Sequence, residues 1–127
     1  MIRGLGCDVC AVERMQKILE NPRFLERWFT AEERAYIGAR KNAAETAAGI
    51  FAAKEAFVKA LGTGFAGLTP DHVAVTHDAG GAPQYDIRDK MRAALEQRGA
   101  ETAFLSISHD GGVAMAVCVL EGRRSLP

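Results

Sequence analysis

The spacing of apolar positions changes along the chain, and each change marks an element. Ile2 to Val9 alternates loosely in β-formers and predicts a short strand, in which Gly4 and Gly6 point to a close backbone approach. Val12, Met15, Ile18 and Leu19 make a helical stripe over residues 12–19. Asn21-Pro22 breaks that helix and opens another, since proline is tolerated at a first helical position. Phe24, Leu25, Trp28 and Phe29 then turn inward, with Arg23 and Arg27 outside. Thr30 and Glu33 spell a T-x-x-E capping box for a third helix. The longest helix begins near Asn42 or Ala43 and ends at Leu61. Val73 to Thr76 and Tyr85 to Ile87 read as short strands around the turn Asp78 to Pro83. Asp89 to Arg98 reads as an amphipathic helix closed by Gly99. Thr102 to Ile107 and Val113 to Leu120 read as paired strands across Ser108-His109-Asp110-Gly111-Gly112, whose glycine pair suits a hairpin turn. Only the last few residues read as disordered.

The long helix organises the rest. Phe51, Glu55 and Lys59 fall at i, i+4 and i+8 and share one face. Ala48, Ala52 and Ala56 form a second row that lets another backbone approach closely. Gly49 costs about 1 kcal/mol against alanine, which predicts a packing reason for it. The plain reading of Glu55 and Lys59 is a solvated i,i+4 salt bridge. The sharper reading is a metal-binding carboxylate one turn before a phosphate-binding ammonium. Gly62-Thr63-Gly64 then supplies amides that approach a phosphate with no Cβ in the way. Asp8, near the end of the first strand, is a cap or turn residue by default and gains interest if Glu55 comes close.

Composition narrows the classes. A chain of 127 residues predicts one domain, 1–127, with a core of its own and room for an oligomer interface to matter. Sixteen basic residues balance sixteen acidic ones, so no polybasic field exists for nucleic acid or an anionic membrane. No apolar run approaches the roughly 20 residues of a membrane span. The start MIRGLGCDV lacks a secretory pattern, and three cysteines do not make a disulfide framework. A soluble cytoplasmic protein is expected.

Several motifs lose on context. Cys7 and Cys10 form a C-x-x-C, but zinc needs four ligands and the remaining Cys and His residues are scattered singly, so packing is the expected role. Gly62 to Gly67 matches G-x-G-x-x-G, yet a helix precedes it where the dinucleotide fingerprint needs a strand. Ser108, His109 and Asp110 are consecutive and diverge, so they form no triad; beside a glycine turn, His109 is a turn residue or a contact for an anionic ligand. Arg14, Lys17, Arg23 and Arg27 come from one compact helical region, but Glu13, Glu20 and Glu26 interleave with them as on any solvated surface.

Three separated segments together resemble one family. GLGCDV with Asp8, the block FAAKEAFVKALGTG, and LSISH near the C-terminus are similar to holo-(acyl-carrier-protein) synthases, the small bacterial 4′-phosphopantetheinyl transferases, in order, spacing and length. The resemblance implies an α+β fold with one long central helix and shorter helices packed on a small, mainly antiparallel sheet. It implies a cytoplasmic homotrimer that uses coenzyme A and Mg²⁺ and has no nucleic-acid or membrane partner. The implied reaction transfers phosphopantetheine from coenzyme A to a serine of apo acyl carrier protein, in support of fatty acid biosynthesis. Asp8 and Glu55 match the metal ligands, and Lys59 the lysine that neutralises the pyrophosphate. Gly62, Gly64, Pro83, Ser108 and His109 are expected on the coenzyme A side, His109 toward the nucleotide. Arg14, Arg23 and Arg27 match positions that dock the carrier protein, which reverses the reading of that surface.

The chemistry asks for the same parts. Displacement at a pyrophosphate phosphorus needs a cation bridging phosphates, an in-line nucleophile and charge neutralisation at the leaving oxygen. Three routes for the serine proton stay open: Glu55, Asp8 through a water on the cation, or water connected to bulk. One departure stands out: Ile50 occupies a position where the family commonly has arginine, leaving Arg40 or Lys41 as substitutes. The alternatives are a non-catalytic coenzyme A or carrier-protein binding module, and a redox or zinc protein built on Cys7 and Cys10.

Overall fold

The computed structural model describes residues 1–123; the expected disorder of the last few residues falls mostly outside them. Strand β1 (Ile2–Ala11) leads through α1 (Val12–Ile18), α2 (Pro22–Trp28) and α3 (Ala31–Ala39) into the long α4 (Ala43–Leu61). A short 3₁₀ turn (Pro70–His72), β2 (Val73–His77), β3 (Pro83–Ile87), α5 (Asp89–Gln97), β4 (Thr102–Asp110) and β5 (Val113–Glu121) follow. The expected α+β architecture holds, with one refinement: the described residues form two antiparallel sheets, β1-β5-β4 and the hairpin β2-β3.

Local chemistry sets the helix ends. Asn21 accepts from the Arg23 and Phe24 amides, Thr30 and Glu33 close the capping box, and Asn42 accepts from the Glu45 amide to open α4. Gly62, left-handed at φ 81°, ends α4.

Helix α4 lies across the three-stranded sheet, where small residues let backbone meet backbone. A Cβ on Gly6 would overlap the Ala56 carbonyl, and one on Gly4 the Ala60 carbonyl. Ala114, Ala116, Cys118 and Leu120 of β5 are fully buried beneath. The two strand glycines thus make the close backbone approach expected of them, Gly6 against Ala56 of the alanine row and Gly4 against Ala60 one turn beyond it. Gly49 has its packing reason too: a Cβ there would stand 2.9 Å from His109 Nε2.

The second sheet is strapped to the far side of α4. Tyr85 donates its hydroxyl to the Ala53 carbonyl at 2.6 Å. Lys54, fully buried, pairs with Glu33 at 2.8 Å and also donates to the Pro70 and Val73 carbonyls. The β4–β5 hairpin runs three residues beyond the expected strand end, because Gly111 and Gly112, at φ 59° and 79°, form a two-residue turn that keeps Asp110 paired with Val113. Ser108 and His109 are thus strand residues, not turn residues. Among the described residues no helix is long and apolar enough to cross a membrane.

Candidate active site

From Ala47 to Leu61, every residue of α4 is buried except Glu55 and Lys59. This one window opens where β1 passes. Gly6 lets the strand lie on the helix, and Asp8, two residues on, points to the same side and reaches the opening. Lys59 Nζ stands 2.8 Å from Asp8 Oδ1, so the lysine pairs with the strand carboxylate and not with Glu55 one turn away. Among the described residues Glu55 makes no hydrogen bond or ion pair. Burial first, and then the charge of Asp8, raise its carboxyl above the usual range, against the pull of Lys59 and Arg14. The hydrogen bond to Asp8 raises the Lys59 ammonium.

Two partly buried carboxylates with mutual repulsion form an oxygen-only donor set. No group of three or more metal-binding side chains exists among the described residues. A pair of carboxylates suits Mg²⁺, which keeps waters and substrate oxygens for its other positions, and does not suit a structural zinc. Gly62 and Gly64, at φ 81° and 61°, follow directly on α4, so their backbone lies at the end of the window.

A separate cleft of about 270 Å³ holds Pro83 and His109. His109 Nε2 lies 3.2 Å from the Glu45 carbonyl and packs on Gly49. The opposite wall is Tyr36, stacked on His77 with centroids 4.1 Å apart, and Arg40, whose guanidinium lies 5.2 Å from the Tyr36 ring. Burial, then the charge of Arg40, lowers the His77 pKa. Ile50 is buried at the cleft floor, and of the two substitutes it is Arg40 that lines the cleft. Sequence reading missed Tyr36 and His77; the i,i+4 spacing of Tyr36 and Arg40 was the one local signal.

The two places are not one site within a single chain. Gly49 and Glu55 are six residues apart on α4, about 9 Å along the axis and about 120° around it. Ser108 does not join His109, because neighbouring strand residues face opposite sides, and it lies exposed on the outer face of the sheet. Arg14 sits near the window, 5.6 Å above the Phe51 ring, while Arg23 and Arg27 are exposed on α2. Cys7 is exposed and Cys10 buried, on opposite faces of β1, and all three cysteines are free. No bidentate or disulfide use of C-x-x-C is open to this geometry, and the redox or zinc alternative falls.

The chain belongs to the 4′-phosphopantetheinyl transferase superfamily: the family model of that description matches residues 4–118. It is similar to the holo-[acyl-carrier-protein] synthase of Treponema denticola, 42% identical over 123 residues that cover 96% of this chain and 100% of that protein. Among solved structures it is similar to the holo-[acyl-carrier-protein] synthase of Neisseria meningitidis, with a TM-score of 0.86 and 31% identity, covering 95% of this chain and 99% of that one. It is also similar to the Bacillus anthracis holo-(acyl-carrier-protein) synthase in complex with CoA (3′,5′-ADP), with a TM-score of 0.80 and 34% identity over 97% and 99% of the two chains.

Proposed function

We propose that this protein moves the 4′-phosphopantetheine group of coenzyme A onto a serine hydroxyl of apo acyl carrier protein, releasing adenosine 3′,5′-bisphosphate, in the service of fatty acid biosynthesis. The observation that carries the reading is the window in α4, where Glu55 and Lys59 emerge from an otherwise buried helix to face Asp8. The serine oxygen attacks the phosphorus that bears the pantetheine arm, and the bond from that phosphorus to the bridging oxygen breaks. Lys59, exposed and long, exchanges Asp8 for the pyrophosphate and neutralises its charge. Gly62 and Gly64 bring backbone amides to the same phosphates.

Asp8 and Glu55 would hold Mg²⁺, which would supply positive charge to offset that of the leaving group. The unpaired, raised carboxyl of Glu55 beside Asp8 fits this role, because a divalent cation relieves the repulsion. Pro83, His109 and Arg40 take the nucleotide end. Arg14, Arg23 and Arg27 receive the acidic carrier protein.

A homotrimer belongs to the same reading. Leu5, Val9, Phe104, Val113 and Met115 leave the outer face of the three-stranded sheet apolar and exposed, as a surface that meets another copy would be. Glu55 and His109 lie on different flanks of α4, so one chain supplies Asp8 and Glu55 while its neighbour supplies His109, with Ser108 on the side facing the joint. The enzyme is taken as cytoplasmic, with no nucleic-acid or membrane partner.

Mass spectrometry tests the reaction directly. Apo carrier protein incubated with the protein, coenzyme A and Mg²⁺ gains one phosphopantetheine mass, and chelation of the cation prevents the gain. Tight binding of coenzyme A or carrier protein with no mass gain identifies a non-catalytic binding module instead.

A further inference from the structure

The glycine loop after α4 is held by one side chain. Gly62, Gly64 and Gly67 take positive φ, Thr63 and Ala66 face solvent, and between Gly62 and Gly67 only Phe65 turns inward. Phe65 meets Trp28 edge-on, with ring centroids 5.3 Å apart at 85°. Trp28 is the last residue of α2; it stacks on Phe24 at 5.6 Å and lies 4.5 Å from Phe51. Phe51 stands one turn before Glu55 on the same face of α4 and carries the Arg14 guanidinium above its ring. One aromatic row therefore runs from the helix bearing Arg23 and Arg27, past the residue below Glu55, to the loop bearing Gly62 and Gly64.

Three left-handed glycines give the loop its shape but also many alternatives to that shape, since glycine loses more freedom on ordering than any other residue. The position of the loop relative to Lys59 is then decided by what tethers it. The Gly62 amide ties the start of the loop to α4, but the ring contact ends on α2, so a shift of α2 is felt at the loop. We propose that Trp28 and Phe65 are positioning residues: their contact fixes the glycine loop against the pyrophosphate, and through α2 it couples carrier-protein docking to coenzyme A binding. The two ligands are those of the transferase reading, on which this coupling rests. By linkage, each ligand tightens the other by the same factor.

The chain has a single tryptophan, so its fluorescence reports on the surroundings of Trp28, and the Phe65 variants isolate this contact from Phe24 and Phe51. Saturating coenzyme A, with no carrier protein present, shifts the emission of the unaltered protein. In Phe65→Ala the shift disappears and the KM for coenzyme A rises about three- to tenfold, the range expected for loss of one aromatic pair, while kcat changes less. Phe65→Tyr restores both. Coenzyme A lowers the Kd for carrier protein in the unaltered protein and no longer does so in Phe65→Ala. Emission of the unaltered protein that stays flat at saturation overturns the proposal without any variant. So does a folded Phe65→Ala that keeps the original KM or the original shift. Transfer by the unaltered protein is followed in the same samples: if it occurs while these signals fail, only the coupling falls. If no transfer occurs, the reaction itself is wrong and the coupling goes with it.

Discussion

Two lysines five residues apart on α4 each meet a carboxylate at 2.8 Å, and they do opposite work. Lys54 and Glu33 are buried, with side chains 0% and 1% exposed, while Lys59 and Asp8 are 53% and 16% exposed. The difference that matters is saturation. All three Lys54 protons are spoken for by Glu33, the Pro70 carbonyl and the Val73 carbonyl. Glu33 Oε1 also accepts the Thr30 amide and Oε2 the Val75 amide. Burial lowers the Lys54 pKa and Glu33 holds it up. Nothing is left over for a ligand. At the open pair, Asp8 Oδ2 and both Glu55 oxygens make no bond to protein among the described residues, and the ammonium is free to move. An ion pair with unused donors beside an unused carboxylate is a place where something binds; a saturated pair is a joint.

Breaking the joint has the largest effect. Lys54→Met leaves Glu33 without its ammonium partner in the core and two carbonyls without donors, and we expect a loss of about 3–5 kcal/mol in urea unfolding, as when one partner of a buried pair is removed. Activity follows the folded fraction and nothing else. A loss below about 1 kcal/mol would mean that the joint is not tight.

The open pair reverses this profile. Asp8→Asn and Glu55→Gln stay folded as trimers and lower transfer by about 10² or more, as when charge stabilisation is lost at a phosphoryl site. Retained Mg²⁺-dependent activity in either variant rejects the metal assignment. The shared-site arrangement makes a further demand. Asp8→Ala and His109→Ala, each a trimer by sedimentation and each poorly active, regain activity when unfolded together and reassembled, because some joints then pair an intact Asp8 with an intact His109. Correct mixed trimers with no rescue would put both residues in one chain's site.

The sequence displays the residues of both pairs but records neither bond. Local signals were readable: the Thr30–Glu33 capping box, both ends of α4, and the strand glycines that let β1 lie on Ala56. The second role of Glu33 was not, since its bonds to Lys54 and Val75 join residues far apart in the chain, and no helical or strand period records them. The same limit applies to Lys59. Its i,i+4 spacing to Glu55 is the pattern a sequence displays, yet the bond goes to Asp8 across 51 positions. The Trp28–Phe65 contact was hidden for a similar reason: an inward tryptophan is legible, but its partner on a glycine loop is not. His109 looked like a turn residue because Asp110-Gly111-Gly112 suggests a longer turn than the two residues the hairpin uses.

Among the basic residues, Arg14 differs from Arg23 and Arg27, and charge reversal separates them. Arg27→Glu or Arg23→Glu raises the KM for carrier protein a few-fold and spares coenzyme A. The effect fades with added salt, because exposed charges are screened over about 8–10 Å near physiological ionic strength. Arg14→Glu also lowers kcat, since that guanidinium stacks on Phe51 and its charge favours the ionised form of Glu55. Equal and salt-independent losses in all three variants would point to a common folding defect.

The smallest effect is the dependence of stability on pH, and it isolates Glu55. Burial and Asp8 raise its carboxyl in the folded state above its ordinary value of 4.5. Between those two values the folded protein binds more protons than the unfolded chain, so this group's contribution to stability is complete below pH 4.5 and is lost as pH rises through the folded value. Glu55→Gln has no such proton to lose. In cation-free buffer its stability therefore matches that of the unaltered protein at acid pH and exceeds it near neutrality. Added Mg²⁺ reverses the order at neutral pH, because a ligand that binds only the folded state stabilises the protein that keeps both carboxylates. Denaturant titrations at several pH values, with and without the cation, read both signs. If Glu55→Gln is less stable than the unaltered protein near neutrality without cation, Glu55 has a partner that holds it ionised. The open pair would then be a second joint and not a site.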